Sequence, residues 1–221
     1  MIRAVIFDMY ETLITHYQSP LYFGSQIAAD AGILEDRFQP FWQKSENDRT
    51  MGKLTLEEVL EIILRENLCF SERLLNEIVQ KRIETKRDCF RHLHPEIVPM
   101  LSSLKDKGIL IGLISNCFSE EAVVIRSSEL FPYFDAALLS YEQGIQKPDS
   151  EIFIRCMEKL SVHADECLYI GDGGSYELEA ARELGMTALQ AVWYLHEDIT
   201  PSKRNPGFRQ LERPLDVLYY L

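Results

Sequence analysis

Five apolar runs of β-type residues, set between stretches with helical periodicity, constrain the fold of this chain more than any other feature. Ile2–Phe7, Ile109–Ile114, Ala136–Leu139, Cys167–Ile170 and Thr187–Trp193 lack the regular polar alternation of half-solvated strands, so each is expected to be covered on both faces. Between them lie helical segments. Pro95–Lys107 stops at Gly108, Ser119–Leu130 opens with a serine and two acids, Asp149–Leu160 follows, and Ser175–Leu184 closes at Gly185, matching the start and stop signals of helices. Strand–helix alternation of this kind predicts an α/β fold with a doubly wound parallel sheet.

Residues 15–94 behave differently. They carry helical spacing (Leu56, Val59, Leu60, Ile63, Leu64, then Leu74, Leu75, Ile78, Val79) and no strand pattern. Loop signals at Ser19-Pro20, Gly32, Gly52 and Phe70-Ser71 divide the stretch into a four-helix insertion placed after the first strand. The expected organisation is a core of 1–14 and 95–221 and an all-helical domain of 15–94. The C-terminal segment, with Pro201, Pro206-Gly207 and Pro214, is expected to be a loop followed by a short strand or helix.

Charge and composition remove several function classes. The 221 residues hold 35 acidic and 23 basic side chains, a formal charge of −12. Such a surplus opposes nucleic acid as a partner, because duplex binding depends on neutralising phosphates. The apolar runs are far too short to span a bilayer. The first of them ends at Asp8, before a secretory core can form. Five cysteines without a CxxC pair suit reduced thiols, so a cytoplasmic location is expected.

Ligands of a doubly wound sheet bind beyond the carboxyl ends of its strands, which makes the polar residue after each apolar run the place to look. Asp8 follows the first, in Asp8-Met9-Tyr10-Glu11-Thr12-Leu13. Ser115 and Asn116 follow the second, Lys147-Pro148 lies in the loop after the third, and Gly171-Asp172-Gly173-Gly174-Ser175-Tyr176-Glu177 follows the fourth. Taken singly, each is an ordinary turn, cap or surface residue. Together, in this order, they bring two or three carboxylates, a lysine and small hydroxyls to one sheet edge.

That constellation resembles the haloacid dehalogenase superfamily over most of the chain, with a helical cap inserted after the first motif of a Rossmann-like core. The resemblance implies a hydrolase in which Asp8 is the nucleophile, Thr12, Ser115 and Asn116 hold the transferring phosphate, and Lys147 offsets charge between nucleophile and substrate. It implies a Mg²⁺ site of Asp8, the Tyr10 main-chain carbonyl, Asp172 and Glu177, the last standing where the pattern often has an aspartate. Oxygen ligands with a substrate phosphate are what Mg²⁺ prefers, and positioning with charge neutralisation is most of what phosphoryl transfer needs. The expected function is therefore Mg²⁺-dependent hydrolysis of a small anionic phosphomonoester through an aspartyl-phosphate on Asp8.

One position departs from the phosphatase pattern. Tyr10 stands where most phosphatases of this superfamily carry a second aspartate as acid and base, and a phenol is a poor base at neutral pH. Tyrosine there is common in the 2-haloacid dehalogenases, which act on carbon without metal. Those enzymes favour Ser or Asn at the Asp172 position and use a cap arginine near a tryptophan to hold halide. Here the sequence around Trp42 is Phe41-Trp42-Gln43-Lys44, with Gln43 in the arginine's place and Arg37 nearby. Retention of Asp172 and Glu177 favours the phosphatase, with a leaving group that needs little protonation. A catalytically weakened phosphometabolite-binding protein is a third alternative, opposed by retention of the nucleophile. In the cap, Arg49 and Lys53 of Arg49-Thr50-Met51-Gly52-Lys53 are expected in a helix–helix loop, either solvated or facing a remote anionic part of the substrate.

Weaker signals resolve to structure. Gly171-x-Gly173 lacks the third glycine of a dinucleotide fingerprint, His92-x-His94 lacks a third ligand and suits a helix entry, and Cys117 suits a buried thiol. The charge divides unevenly: residues 15–94 hold 13 acids and 11 bases, a balance of −2, which leaves −10 to the core. A core so charged is expected to reject its own anion unless a metal is present.

Overall fold

Ala4–Phe7 forms β1, and all four of its residues are buried. The computed structural model describes residues 1–196 and 198–221. After β1 come α1 (Gly24–Ala31), α2 (Glu35–Lys44), α3 (Glu46–Thr50), α4 (Leu56–Glu66) and α5 (Glu72–Asp88), then α6 (Ile97–Asp106), β2 (Leu110–Ser115) and α7 (Ser119–Ser127). The chain continues through β3 (Ala136–Leu139), α8 (Ser140–Gln143), α9 (Ser150–Leu160), β4 (Cys167–Gly171), α10 (Glu177–Glu183), β5 (Thr187–Ala191) and β6 (Arg209–Leu211), and ends on a 3-10 segment at Pro214–Tyr220. The five anticipated strands are present within two residues at each end, and the C-terminal segment adds β6.

The strands form one parallel sheet in the order β3-β2-β1-β4-β5-β6. Strand order reverses on either side of β1, so the crevice of a doubly wound sheet opens at its carboxyl end. Register brings the site residues level: Phe7 lies beside Leu113 of β2 and Ile170 of β4, and the Asp8 N–H donates to Ile170 O at 2.9 Å. Successive β1 residues face opposite layers, as strand geometry requires. Val5 and Phe7 pack with Met100, Leu104 and Ile125 of α6 and α7, whereas Ala4 and Ile6 pack with Phe153, Cys156 and Leu178 of α9 and α10.

Helices α1–α5 bury a third apolar cluster, in which Ile27, Phe38, Leu60, Ile63 and Ile78 are almost fully enclosed. The stretch holds five helices rather than four, because Glu46–Thr50 continues as a short turn after Ser45. Arg49 and Thr50 therefore stand on a helix and not in a loop. The Thr55 hydroxyl caps α4 by accepting the Glu58 N–H at 3.1 Å. Ser119 does not cap its own helix: its Oγ accepts the Leu56 N–H at 3.0 Å, and the Glu121 carboxylate accepts the Phe118 N–H instead.

A buried charge cluster joins α5 to α7. Arg82 Nε lies 3.0 Å from Glu120 and Lys86 Nζ 2.6 Å from Glu121, with every one of these side chains at most 5% exposed. Burial alone raises a carboxylate, but Lys86 and Arg82 overcome it and hold Glu121 at about 2. A carboxyl depressed from 4.5 to about 2 contributes stability that is complete above its unfolded value and lost as pH falls between the two. Glu121→Gln is expected to cost about 3 kcal/mol at pH 7, since it strands the buried Lys86 ammonium while Arg82 keeps Glu120. Denaturant unfolding should show the deficit shrinking as pH drops from 5 towards 2.

Candidate active site

Asp8, Lys147, Asp172 and Glu177 converge at the carboxyl ends of β1, β3 and β4. Lys147 Nζ lies 2.5 Å from Asp8 Oδ1, bonds Glu177 Oε2, and stands 3.3 Å from the Tyr169 hydroxyl. Its ammonium is 1% exposed. Burial would lower a lysine, but the Asp8 and Glu177 charges reverse that and hold it above its ordinary value. Burial and the Glu177 charge together push the Asp8 carboxyl well up, against the pull of Lys147. The same two causes lift Asp172 to about 6.

Local backbone explains these positions. Asn116 spends its side-chain amide on the main chain of Lys147, with Nδ2 donating to Lys147 O at 3.0 Å and Oδ1 accepting Lys147 N–H at 2.8 Å. The loop after β3 is thereby fixed to the end of β2. Glu177 reaches the cluster over Gly171, where an added Cβ would stand 2.2 Å from Glu177 Oε1. Glu177 Oε1 accepts the Gly173 N–H at 3.2 Å, and Oε2 also accepts the Tyr169 hydroxyl at 3.2 Å.

Carboxylate oxygens of Asp8, Asp172 and Glu177 lie within 4.8 Å of one another. Three carboxylates around one ammonium leave an all-oxygen donor set with surplus negative charge, and such a set fits a hard divalent cation.

A cavity of about 220 Å³ lies at this cluster, lined by Asp8, Tyr10, Asn116, Lys147 and Asp172 among others. Thr12 and Ser115 are fully enclosed and do not line it; the Thr12 hydroxyl has no hydrogen-bond partner among the described residues, and Ser115 Oγ points at Asn116 O, 3.5 Å away. A larger cavity of about 860 Å³ runs from Tyr10 and Asn116 towards α2, α3 and α5, and shares His16 and Ser175 with the first. Arg49 stands in its wall, 2% exposed, with its guanidinium 3.8 Å over Trp42 and 4.3 Å from Phe118. Lys53 does not join it, because its ammonium is solvated and paired with Asp48 at 3.1 Å. Gln43 lines this wall, and Arg37 is exposed elsewhere on α2.

Tyr10 is held as a phenol. Burial and then Glu121 push its hydroxyl well above its ordinary value, and that oxygen has no hydrogen-bond partner among the described residues. Its ring stacks on His16 at 4.3 Å, while burial and Lys86 hold His16 well below its ordinary value and so neutral at pH 7. Cys117 is buried with its thiol pushed up. His92 pairs with Asp88, and His94 Nδ1 accepts the Glu96 N–H; neither belongs to the carboxylate cluster among the described residues.

Two residues at the site carry weak sequence signals. Tyr169 brings a hydroxyl into an apolar strand, and a buried phenol demands a polar partner. His16 lies just past the Asp8 motif, with no spacing rule to mark it.

The family model for haloacid dehalogenase-like hydrolases matches residues 2–185. A phosphorylated carbohydrates phosphatase from Thermotoga maritima is 30% identical over 224 residues, covering 99% of this chain and 98% of that protein. A glyceraldehyde 3-phosphate phosphatase from Methanopyrus kandleri is 24% identical over 237 residues, covering 99% and 96%. Among solved structures, the 2-haloacid dehalogenase of Pseudomonas syringae superposes with a TM-score of 0.71 at 20% identity, covering 99% of this chain and 97% of that one. Among the described residues no helix is long and apolar enough to cross a membrane.

Proposed function

The chain belongs to the haloacid dehalogenase-like hydrolases, and from that membership we propose that it hydrolyses a small phosphomonoester with Asp8 as nucleophile and Mg²⁺ as cofactor. The observation that carries this assignment is the cluster of Asp8, Asp172 and Glu177 oxygens around the Lys147 ammonium. Displacement at carbon without metal has no use for so much buried negative charge. The two phosphatase relatives that span nearly the whole chain add support.

An Asp8 carboxylate oxygen attacks phosphorus, the ester P–O bond breaks, and its electron pair leaves with the alcohol oxygen. Water then attacks the phosphorus of the aspartyl-phosphate, releasing inorganic phosphate and restoring Asp8. Lys147 offsets the charge between Asp8 and the phosphoryl group, and Asn116 holds Lys147 in place. Thr12 and Ser115 back the wall of the phosphate site. Asp8, Asp172, Glu177 and the Tyr10 carbonyl would hold Mg²⁺, with Glu177 Oε2 also bonded to Lys147 and Oε1 to the Gly173 N–H. When bound, the ion supplies positive charge to the phosphoryl oxygens. Tyr10 carries no carboxylic acid, which favours leaving groups of low basicity.

Residues 15–94 act as a cap on a core of 1–14 and 95–221, and the 860 Å³ cavity between them receives the leaving group. Arg49 is its specificity residue. Tyr10 specifically favours the second reaction class, dehalogenation of a 2-haloacid.

Matched assays of phosphate and halide release, with Mg²⁺ and with EDTA, separate the two. Mg²⁺-stimulated phosphate release over many turnovers is expected, which also excludes a binding protein without catalysis. Halide release insensitive to EDTA would overturn the assignment.

A further inference from the structure

Beyond β5 the chain folds back over the site. Gln190, fully enclosed near the end of β5, clasps three main-chain groups. Its Nε2 donates to Asp172 O and to Lys203 O, both at 2.8 Å, and its Oε1 accepts the Asn205 N–H at 2.8 Å. The segment around 203–205 is thereby tied to the loop that follows β4. Nearby, Trp193 Nε1 donates to Thr12 O at 2.8 Å, so the same stretch of chain also braces the loop after β1.

The clasp delivers one side chain to the cluster. The Ser202 hydroxyl donates to Asp172 Oδ2, while Oδ1 accepts the Gly174 N–H at 3.0 Å. Each carboxylate oxygen is thus fixed by one donor and keeps a lone pair for another partner. Gly174 leaves room for the approach: a Cβ there would crowd it, standing 3.0 Å from Ser202 Oγ and 3.3 Å from both Asp172 oxygens. Ser202 also lines the 220 Å³ cavity beside Asp8 and Lys147.

Resting on the metal site set out above, we propose that Ser202 is a positioning residue whose hydroxyl, seated by the Gln190 clasp, orients the Asp172 carboxylate for a divalent cation. The C-terminal segment thereby sets the affinity for Mg²⁺. Groups that hydrogen-bond metal ligands commonly change affinity by about 10–100-fold when removed.

Calorimetric titration of the whole protein with Mg²⁺ tests this directly. Wild type is expected to bind, Ser202→Ala to bind about tenfold or more weakly, and Ser202→Thr to restore affinity. Ser202→Cys keeps the volume but donates poorly, and should behave as Ser202→Ala does. Thermal midpoints in EDTA should match wild type, and kcat at saturating Mg²⁺ should survive. Equal affinity in wild type, Ser202→Ala and Ser202→Cys would overturn the role of Ser202 alone. A wild type that takes up no Mg²⁺ would overturn the metal site, and the role of Ser202 with it.

Discussion

Asp8→Asn should lower kcat/KM for phosphomonoester hydrolysis by at least about 10⁴-fold, the scale seen when a covalent nucleophile is removed. An amide has nearly the shape of the carboxylate but no anionic oxygen to form the bond to phosphorus. Stability should not fall with activity. Asp8 sits in a cluster whose carboxylates outnumber its ammonium, and the pressure on its carboxyl comes first from burial and then from Glu177. Removing that charge relieves repulsion, while Glu177 still holds Lys147. A thermal midpoint at or above wild type, with phosphate release at background, is the expected pair of results. Substantial residual turnover would remove Asp8 from the nucleophile's role.

Asp172→Ala should be nearly as severe, but for a different reason. It leaves Asp8 and Lys147 in place and removes a proposed metal ligand, whose loss would leave two anionic groups, Asp8 and the incoming phosphate, in one small cavity. Turnover should fall to background, and inorganic phosphate should no longer bind even with Mg²⁺ present. Wild type in EDTA should show the same failure to bind phosphate, and Mg²⁺ should reverse it in wild type only. An Asp172→Ala enzyme with unchanged activity would sink the metal role.

The architecture was legible because the strands are buried on both faces. Runs such as Cys167–Ile170 then have no competing pattern, and polar residues at their ends stand out. Glycines punctuated helix ends correctly at Gly108 and Gly185, both in left-handed conformation. The short α3 was hidden, since five polar residues, Glu46–Thr50, carry no apolar periodicity. Arg49 and Lys53, four residues apart, looked alike in sequence. They part because Arg49 turns inwards on its helix against Trp42, whereas Lys53 lies past its end in solvent. The Gln190 and Ser202 contacts were illegible for another reason. They join side chains to the Asp172 loop across 18 and 30 residues, and no local rule connects such positions.

The place of β1 in the sheet also bears on when the protein becomes an enzyme during its synthesis. β1 is made before β2 and β4, yet it pairs with both, and their partners for Ala4 are Leu110 and Cys167. Its apolar residues wait unpaired while more than a hundred further residues leave the ribosome, and helices of the insertion, built on local contacts, can form in that interval. Asp8 gains Lys147 and Glu177 only after most of the chain is out. The nascent protein therefore carries its proposed nucleophile for most of this interval without the charges that would arm it.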